Sequence, residues 1–297
     1  MLSICIPVYN HKVNLLCNTL LRMAKHQSQA VEIILIDDAS LFVYHEQNKV
    51  LSGENIKYIR LDKNIGRAKI RNLFLKYARY DYLLYLDCDS LIVRRDFLSN
   101  YLSMINKNTG VVCGGRIYEK KRLGKKYRLR QNFGIKRECM TADLRNKNPY
   151  KSFMSNNFLI RKDVLQKILF DDNITAYGHE DTLFGYRLKQ NKIKLQHIDN
   201  PVEHNFDEDN RDFVRKTEQA IENLLYINNN LAGGDFYKEV KLLATYTKLK
   251  KYGLDTVLLF SLVNLLPLIR KILINFGGGL FLFDIYKLLY IIKLSGK

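Results

Sequence analysis

The 297-residue chain contains no tryptophan, four prolines, and five cysteines that form no C-x-x-C pair. So few prolines, beside 47% hydrophobic residues, exclude a collagen-like or wholly disordered chain. The odd, scattered set Cys5, Cys17, Cys88, Cys113 and Cys139 argues against a disulfide framework or zinc ribbon and for a reducing compartment. Met1-Leu2-Ser3-Ile4-Cys5-Ile6-Pro7 has neither a basic n-region nor a small-residue cleavage site, which predicts the start of a folded domain in the cytosol. No stretch reaches the roughly 18–20 uninterrupted apolar residues of a spanning helix. Acidic charge is also scarce: 30 Asp and Glu stand against 48 Lys and Arg, a net charge of +18.

The excess charge is concentrated. Arg116, Lys120, Lys121, Arg122, Lys125, Lys126, Arg128, Arg130, Lys136 and Arg137 face Glu119 alone across residues 116–137. Such a block either attracts phosphate, on a nucleotide or an anionic membrane, or is a solvated loop. It lacks the regular aromatic interleaving of a single-strand nucleic-acid platform, so no nucleic-acid partner is expected.

The first 200 residues alternate short apolar runs with helical patterns. Ser3–Tyr9, Glu32–Asp37, Ile56–Leu61, Tyr82–Asp87 and Gly110–Arg116 read as strands covered on both faces. Lys12–Gln29, Arg67–Arg79 and Arg94–Asn106 read as helices, the second placing Ile70, Leu73, Phe74 and Tyr77 on one face. That alternation predicts an α/β fold with a mostly parallel, doubly wound sheet. Open sheets of this kind bind ligands beyond the carboxyl ends of their strands. Three of those ends are polar: Tyr9-Asn10, Asp37-Asp38 and Asp87-Cys88-Asp89.

Beyond residue 210 the texture changes. Residues 211–253 hold two amphipathic helical patterns, and 254–297 form an apolar helical segment broken by Pro267, Arg270, Lys271, Gly277–Gly279, Asp284 and Lys287. Two readings remain for that segment, helices lying in a membrane interface or a helical pair packed on the protein itself, with the first favoured.

In extended chain, side chains at i and i+2 share a face, so Asp87 and Asp89 can meet one cation. Their hard oxygens suit Mg²⁺ or Mn²⁺, and a diphosphate can share such a cation. Glu180 and Asp181 fall in the first turn of a helical pattern, where the helix dipole favours a carboxylate, and one of them can serve as a general base. His204 follows the strand pattern Lys194–Ile198. Lone histidines such as His11, His26, His45 and His197 are assigned to structure.

Taken in order, Ser3–Asn10, Glu32–Ser40, Asn64–Asn72, Asp87-Cys88-Asp89 and Gly178–Asp181 resemble family 2 glycosyltransferases of the GT-A fold over about residues 1–206. The resemblance implies a GT-A catalytic domain over 1–210, with a nucleotide-binding half and an acceptor half, followed by the C-terminal helical extension. It assigns Pro7, Tyr9 and Asp38 to the nucleotide base and ribose, Arg67 or Arg71 to the nucleotide, and Asp87 and Asp89 to a metal. It assigns Asp181 to the catalytic base and Glu180 to the acceptor. His204 matches a late histidine that completes the metal site in the β-1,4-galactosyltransferase-like branch, and Ser155–Phe158, with Asn157, matches a loop lining the donor sugar there. A histidine ligand tilts the cofactor from Mg²⁺ to Mn²⁺.

The function implied is inverting, metal-dependent transfer from a nucleotide-sugar donor, a UDP-sugar by preference, to a glycan or lipid-linked saccharide. Cell-surface polysaccharide synthesis at the cytoplasmic face of the membrane would suit it. One alternative is a non-enzymatic basic protein binding a membrane surface or polyanion, which leaves the acidic strand ends unexplained. A sugar-1-phosphate nucleotidyltransferase would need a Gly-rich phosphate loop after the first strand, where this chain has Pro7-Val8-Tyr9-Asn10-His11-Lys12.

Overall fold

A computed structural model of the chain describes residues 1–119, 124–204 and 208–296. Contacts divide it into two compact units: Met1–Glu119, Cys139–Thr175 and Arg187–Asn205 form the first, and Lys120–Glu138, Ala176–Tyr186 and Phe206–Lys297 the second.

Among the described residues the first unit carries ten strands: β1 (Leu2–Val8), β2 (Val31–Asp37), β3 (Ile56–Arg60), β4 (Tyr82–Leu86), β5 (Ser90–Ile92), β6 (Val111–Cys113), β7 (Arg116–Tyr118), β8 (Asn157–Arg161), β9 (Leu195–His197) and β10 (Val202–His204). Seven form one sheet in the order β3-β2-β1-β4-β8-β6-β9. All its pairs are parallel except those of β8, which runs antiparallel between β4 and β6. Leu2, Ile4, Cys5, Ile6 and Val8 of β1 are all fully buried, as a strand sandwiched between helices requires. The helix Asn14–Ala24 supplies Leu16, Cys17 and Leu20 to that core, and Phe97–Ser103 supplies Leu98, Tyr101 and Leu102. Both are shorter than their sequence patterns, because the polar ends of each pattern lie in turns.

The predicted strand Gly110–Arg116 is two strands in two sheets. Its chain breaks at Gly114-Gly115, where a Cβ on Gly115 would lie 2.7 Å from the Arg145 guanidinium and φ is +86°. Arg145, 1% exposed, donates to the carbonyls of Cys113 (3.2 Å), Gly114 (3.1 Å), Ile198 (2.8 Å) and Met140 (3.1 Å). Its Nη1 also lies 2.8 Å from Nδ1 of buried His197, whose Nε2 is 2.9 Å from the Pro149 carbonyl. The ring is therefore neutral, donating through Nε2 and accepting through Nδ1. Burial, reinforced by the Arg145 charge, holds the His197 pKa down at about 4 against the upward pull of the Pro149 carbonyl.

A histidine neutral in the fold but with an ordinary pKa when unfolded adds stability that is complete above about pH 6.5 and is lost as pH falls towards 4. Between pH 6.5 and 5 the loss expected from this ring is about 2 kcal/mol. Urea unfolding at pH 7 and pH 5 should show wild type losing that much more than His197→Gln. Equal losses would place the pH sensitivity elsewhere.

The second unit is helical. Among its elements are Asn210–Ile227, capped by Asp209 accepting from the Asp212 amide (2.9 Å), Lys241–Lys251, Leu254–Leu262, Leu266–Phe276 and Leu280–Ser295. Leu266, Ile269 and Leu273 recur at helical spacing and pack with Phe283, Tyr286, Leu289, Val214 and Leu129 into one core. By contrast, Leu254–Leu262 buries no residue, and Val257, Phe260 and Leu262 are exposed.

The helical backbone runs on through polar residues of the apolar segment. Leu254–Phe276 is one helical stretch of 23 residues that contains an 18-residue window of mean hydropathy 2.1, long and apolar enough by those measures to cross a membrane. Pro267 does not break the backbone, because it sits at the start of Leu266–Phe276, where its missing N–H is no loss, whereas Gly277–Gly279 end that helix.

Candidate functional site

The polar strand ends of the first unit are tied together by side chains rather than left open. Asn10, in the left-handed region (φ 49°), receives the Leu41 amide on its Oδ1 and donates its own amide to Ser40 Oγ, each at 2.8 Å. Fully buried Asp37 accepts from the Ser40 amide (2.7 Å) and the Tyr58 hydroxyl. Asp38, 5% exposed, accepts the amides of Ile65 (2.7 Å) and Gly66 (3.1 Å), the residues leading into the helix Arg67–Tyr77. Burial raises the Asp38 pKa above the usual carboxylate value, those two amides oppose it, and Asp37 adds to the rise. Pro7 is half-buried near the end of β1, and Tyr9 is 53% exposed.

Beyond β4 the Asp-x-Asp pair splits between two partners. Asp87 meets buried Arg71, whose Nη2 lies 3.3 Å away and whose guanidinium stacks over Phe170 at 5.5 Å. Arg71 Nη1 also donates to the Arg67 carbonyl at 3.1 Å, while Arg67 itself is exposed. Asp89 meets His204, with Oδ2 3.2 Å from Nδ1. Antiparallel pairing of β10 with β5 creates that contact, because it sets His204 opposite Ser90, next in sequence to Asp89. Burial alone would raise the Asp89 pKa, but the His204 hydrogen bond, with His11 and Arg116, leaves it below the usual value. His204 stands edge-on to Tyr118, with ring centres 5.7 Å apart.

Cys88, between the two carboxylates, packs against the apolar core, and burial pushes its thiol up to about 12. Asn157 is 1% exposed and spends its carboxamide on the protein: Nδ2 donates to the Gly115 and Asn200 carbonyls, both at 2.9 Å, and Oδ1 accepts from Tyr101 at 2.7 Å. Among the described residues, no group of three or more His, Cys, Asp and Glu side chains gathers as a ready-made metal cage.

Glu180 and Asp181 belong to the second unit, at the start of the helix Glu180–Gln190. Gly178 (φ +96°) and His179 (φ 66°) turn the chain into it, and a Cβ on Gly178 would come within 2.7 Å of Ala220. Asn223, 2% exposed on Asn210–Ile227, donates to the Gly178 carbonyl and, at 3.5 Å, to that of Ala176. Asp181 Oδ1 accepts from the Thr182 amide (2.7 Å), and His179 Nδ1 lies 3.1 Å from the Thr182 hydroxyl. Burial drives the His179 pKa down to about 4, so its ring adds no charge beside the carboxylates near neutral pH. Asn223 was not legible as a support for this turn, although a polar residue among buried Ile221, Leu224 and Ile227 is a signal of one.

Of the basic block, Lys120, Lys121 and Arg122 lie outside the described residues. Several of its other members are neutralised locally. Buried Arg130 sits 3.3 Å from both Glu138 and Glu208, Arg137 meets Asp284 at 2.9 Å, and Lys126 meets Asp209 at 3.2 Å.

The mostly parallel sheet, with Asp38, Asp87 and Asp89 beyond its carboxyl edge, is that of an α/β protein of the GT-A type. The chain belongs to glycosyl transferase family 2, whose model matches residues 3–169, and it is a glycosyltransferase. It is 30% identical to a chondroitin synthase of Escherichia coli over 224 residues, 63% of this chain and 32% of that protein. The chain thus spans about a third or less of the chondroitin synthases it matches, the one from Pasteurella multocida included. In fold it is similar to the mannosyltransferase PcManGT of Pyrobaculum calidifontis in complex with GDP-Man and Mn²⁺, at TM-score 0.59 and 13% identity. That match covers 100% of this chain and 87% of the other. It is likewise similar to S. aureus TarS 1-349 in complex with UDP-GlcNAc, at TM-score 0.52 and 17% identity, covering 99% and 91% of the two chains.

Proposed function

We propose that the chain transfers a sugar, with inversion, from a nucleotide-diphosphate sugar to a glycan or lipid-linked saccharide, with a UDP-sugar as donor. The observation that carries this reading is the Asp89–His204 pair at the end of β4. A carboxylate oxygen and an imidazole nitrogen 3.2 Å apart form a donor set suited to Mn²⁺, and the carboxylate is held ionised. Asp89 and His204 would hold the cation, with Asp87 beside them in sequence. When bound, a divalent cation neutralises charge developing on the diphosphate leaving group.

The chain's own residues have separate tasks. Arg71 holds Asp87 in place, and Asp38 fixes the Ile65-Gly66 turn that opens the helix Arg67–Tyr77. Arg67 or Arg71 meets the nucleotide, and Pro7 and Tyr9 offer the base an apolar edge and a ring. Asp181 accepts the proton of the attacking acceptor hydroxyl, and Glu180 orients that acceptor. A single base with no second carboxylate assigned as nucleophile gives one displacement and therefore inversion. Relatives named for chondroitin synthesis and for poly(glycerol phosphate) polymerisation support a surface-polymer acceptor. The exposed apolar residues of Leu254–Phe276 support a site at the membrane's cytoplasmic face.

A thermal-shift panel of UDP, GDP, CDP and dTDP, each with Mn²⁺, Mg²⁺ or EDTA, tests the donor and metal assignments. A ligand at 100 times its Kd stabilises the fold by about 2.7 kcal/mol. UDP with Mn²⁺ should give the largest shift, and EDTA should remove it. A shift unaffected by EDTA would overturn the metal assignment, and no shift with any nucleotide on folded protein would overturn the donor reading.

A further inference from the structure

The second unit holds a basic cleft whose residues have no part in the proposed glycosyl transfer. Arg211, Pro267, Arg270, Lys271, Ile274 and Asn275 line a cleft of about 370 Å³ between the helices Asn210–Ile227 and Leu266–Phe276. Its walls are tied together by Asn210, which is fully buried. Asn210 Nδ2 donates to the Ile274 carbonyl (3.1 Å) and the Lys125 carbonyl (2.9 Å), and its Oδ1 accepts the Leu129 amide (2.9 Å). Arg270 is anchored through Nε on Glu218 at 2.8 Å. Arg211 and Lys271 make no ion pair among the described residues, and both are exposed. Among the described residues the lining therefore carries three cations, and Glu218 offsets one of them.

The surroundings narrow the ligand. Among the described residues no aromatic ring lines the cleft, so they offer no stacking surface for a base. The helix that forms one wall also exposes Leu268 and Phe276, and the exposed Leu254, Val257, Phe260, Leu262 and Leu265 precede it in the same helical run. A basic cleft on a helical run that also exposes apolar side chains matches an amphiphile whose phosphate head and hydrocarbon tail are joined.

We propose that this cleft binds the phosphate of an anionic lipid headgroup, with Arg211 and Lys271 as its direct contacts. This rests on the membrane-face reading of residues 254–276. Co-sedimentation of the full chain with phosphatidylglycerol and phosphatidylcholine vesicles tests it, comparing wild type, Arg211→Gln/Lys271→Gln and Lys25→Gln/Lys192→Gln. The last pair removes the same charge from exposed lysines of the first unit.

At about 1 kcal/mol for each basic residue near an anionic surface, the cleft variant should bind phosphatidylglycerol vesicles about thirtyfold more weakly. Its residual phosphatidylcholine binding should be unchanged, and the control variant should stay within about threefold of wild type. Equal losses in the two variants, or no loss in the cleft variant, would overturn the cleft assignment and leave the membrane reading standing. Wild type that binds neither vesicle would overturn both. Inorganic phosphate that protects the cleft against heat in wild type but not in the cleft variant, while vesicles do not, would reassign the site to free phosphate.

Discussion

Asp181→Asn is expected to lower kcat by about 10³-fold while leaving KM for the donor within a factor of two or three, since removing a general base costs roughly 10²–10⁴ in rate. The substitution is conservative locally. An asparagine Oδ1 can still accept the Thr182 amide that Asp181 holds at 2.7 Å, so the first turn of Glu180–Gln190 should persist. What disappears is the anionic oxygen proposed to take the acceptor's proton. Measuring kcat and KM separately, with circular dichroism to confirm folding, distinguishes the roles. Glu180→Gln should instead raise KM for the acceptor. An Asp181→Asn enzyme retaining more than a tenth of wild-type kcat would remove Asp181 from the base role.

The strand ends that build the candidate site were legible because β1, β2 and β4 are continuous apolar runs that stop at polar residues. Burial on both faces imposes that pattern, and the observed strands Leu2–Val8, Val31–Asp37 and Tyr82–Leu86 each fall within a residue of it. The helix Phe42–Lys49 was not legible, since Asn48 is its one buried residue and it has no apolar stripe to detect. Strand β8 was invisible for a different reason: nothing in Asn157–Arg161 states that it enters a parallel sheet antiparallel. The partners of the acidic residues depend on such non-local pairings. The β10–β5 register brings His204 to Asp89, and helix packing brings Arg71 to Asp87. The apolar tail was legible in composition but not in outcome. Leu266, Ile269 and Leu273 enter the core, while Val257 and Phe260, of similar hydrophobicity, remain exposed.

Arg145→Leu should destabilise the chain by about 3–5 kcal/mol, the range for removing one partner from a buried charged network. No sequence pattern pointed to Arg145, because it lies in the short helix Ala142–Asn146 and all of its partners are distant or backbone atoms. Its guanidinium reaches four carbonyls and one imidazole, and Asp199 lies 3.8 Å away. A leucine would fill part of the volume but strand those carbonyls at the Gly114-Gly115 break, where each unpaired buried group costs about 1–3 kcal/mol before water enters. Arg145→Lys keeps the charge but not the planar fork, and one ammonium cannot serve carbonyls on both sides of Gly114, so it should lose about half as much. The consequence reaches the candidate site through β7, which starts immediately after the break and sets the Tyr118 ring against that of His204. Urea unfolding should therefore rank wild type above Arg145→Lys and Arg145→Lys above Arg145→Leu. The lysine variant, still folded, should also need more Mn²⁺ to reach the same UDP-induced thermal shift. Equal stability of the three proteins would mean that water replaces the guanidinium at no cost, and that the junction of the two sheets is held by Asn157 instead.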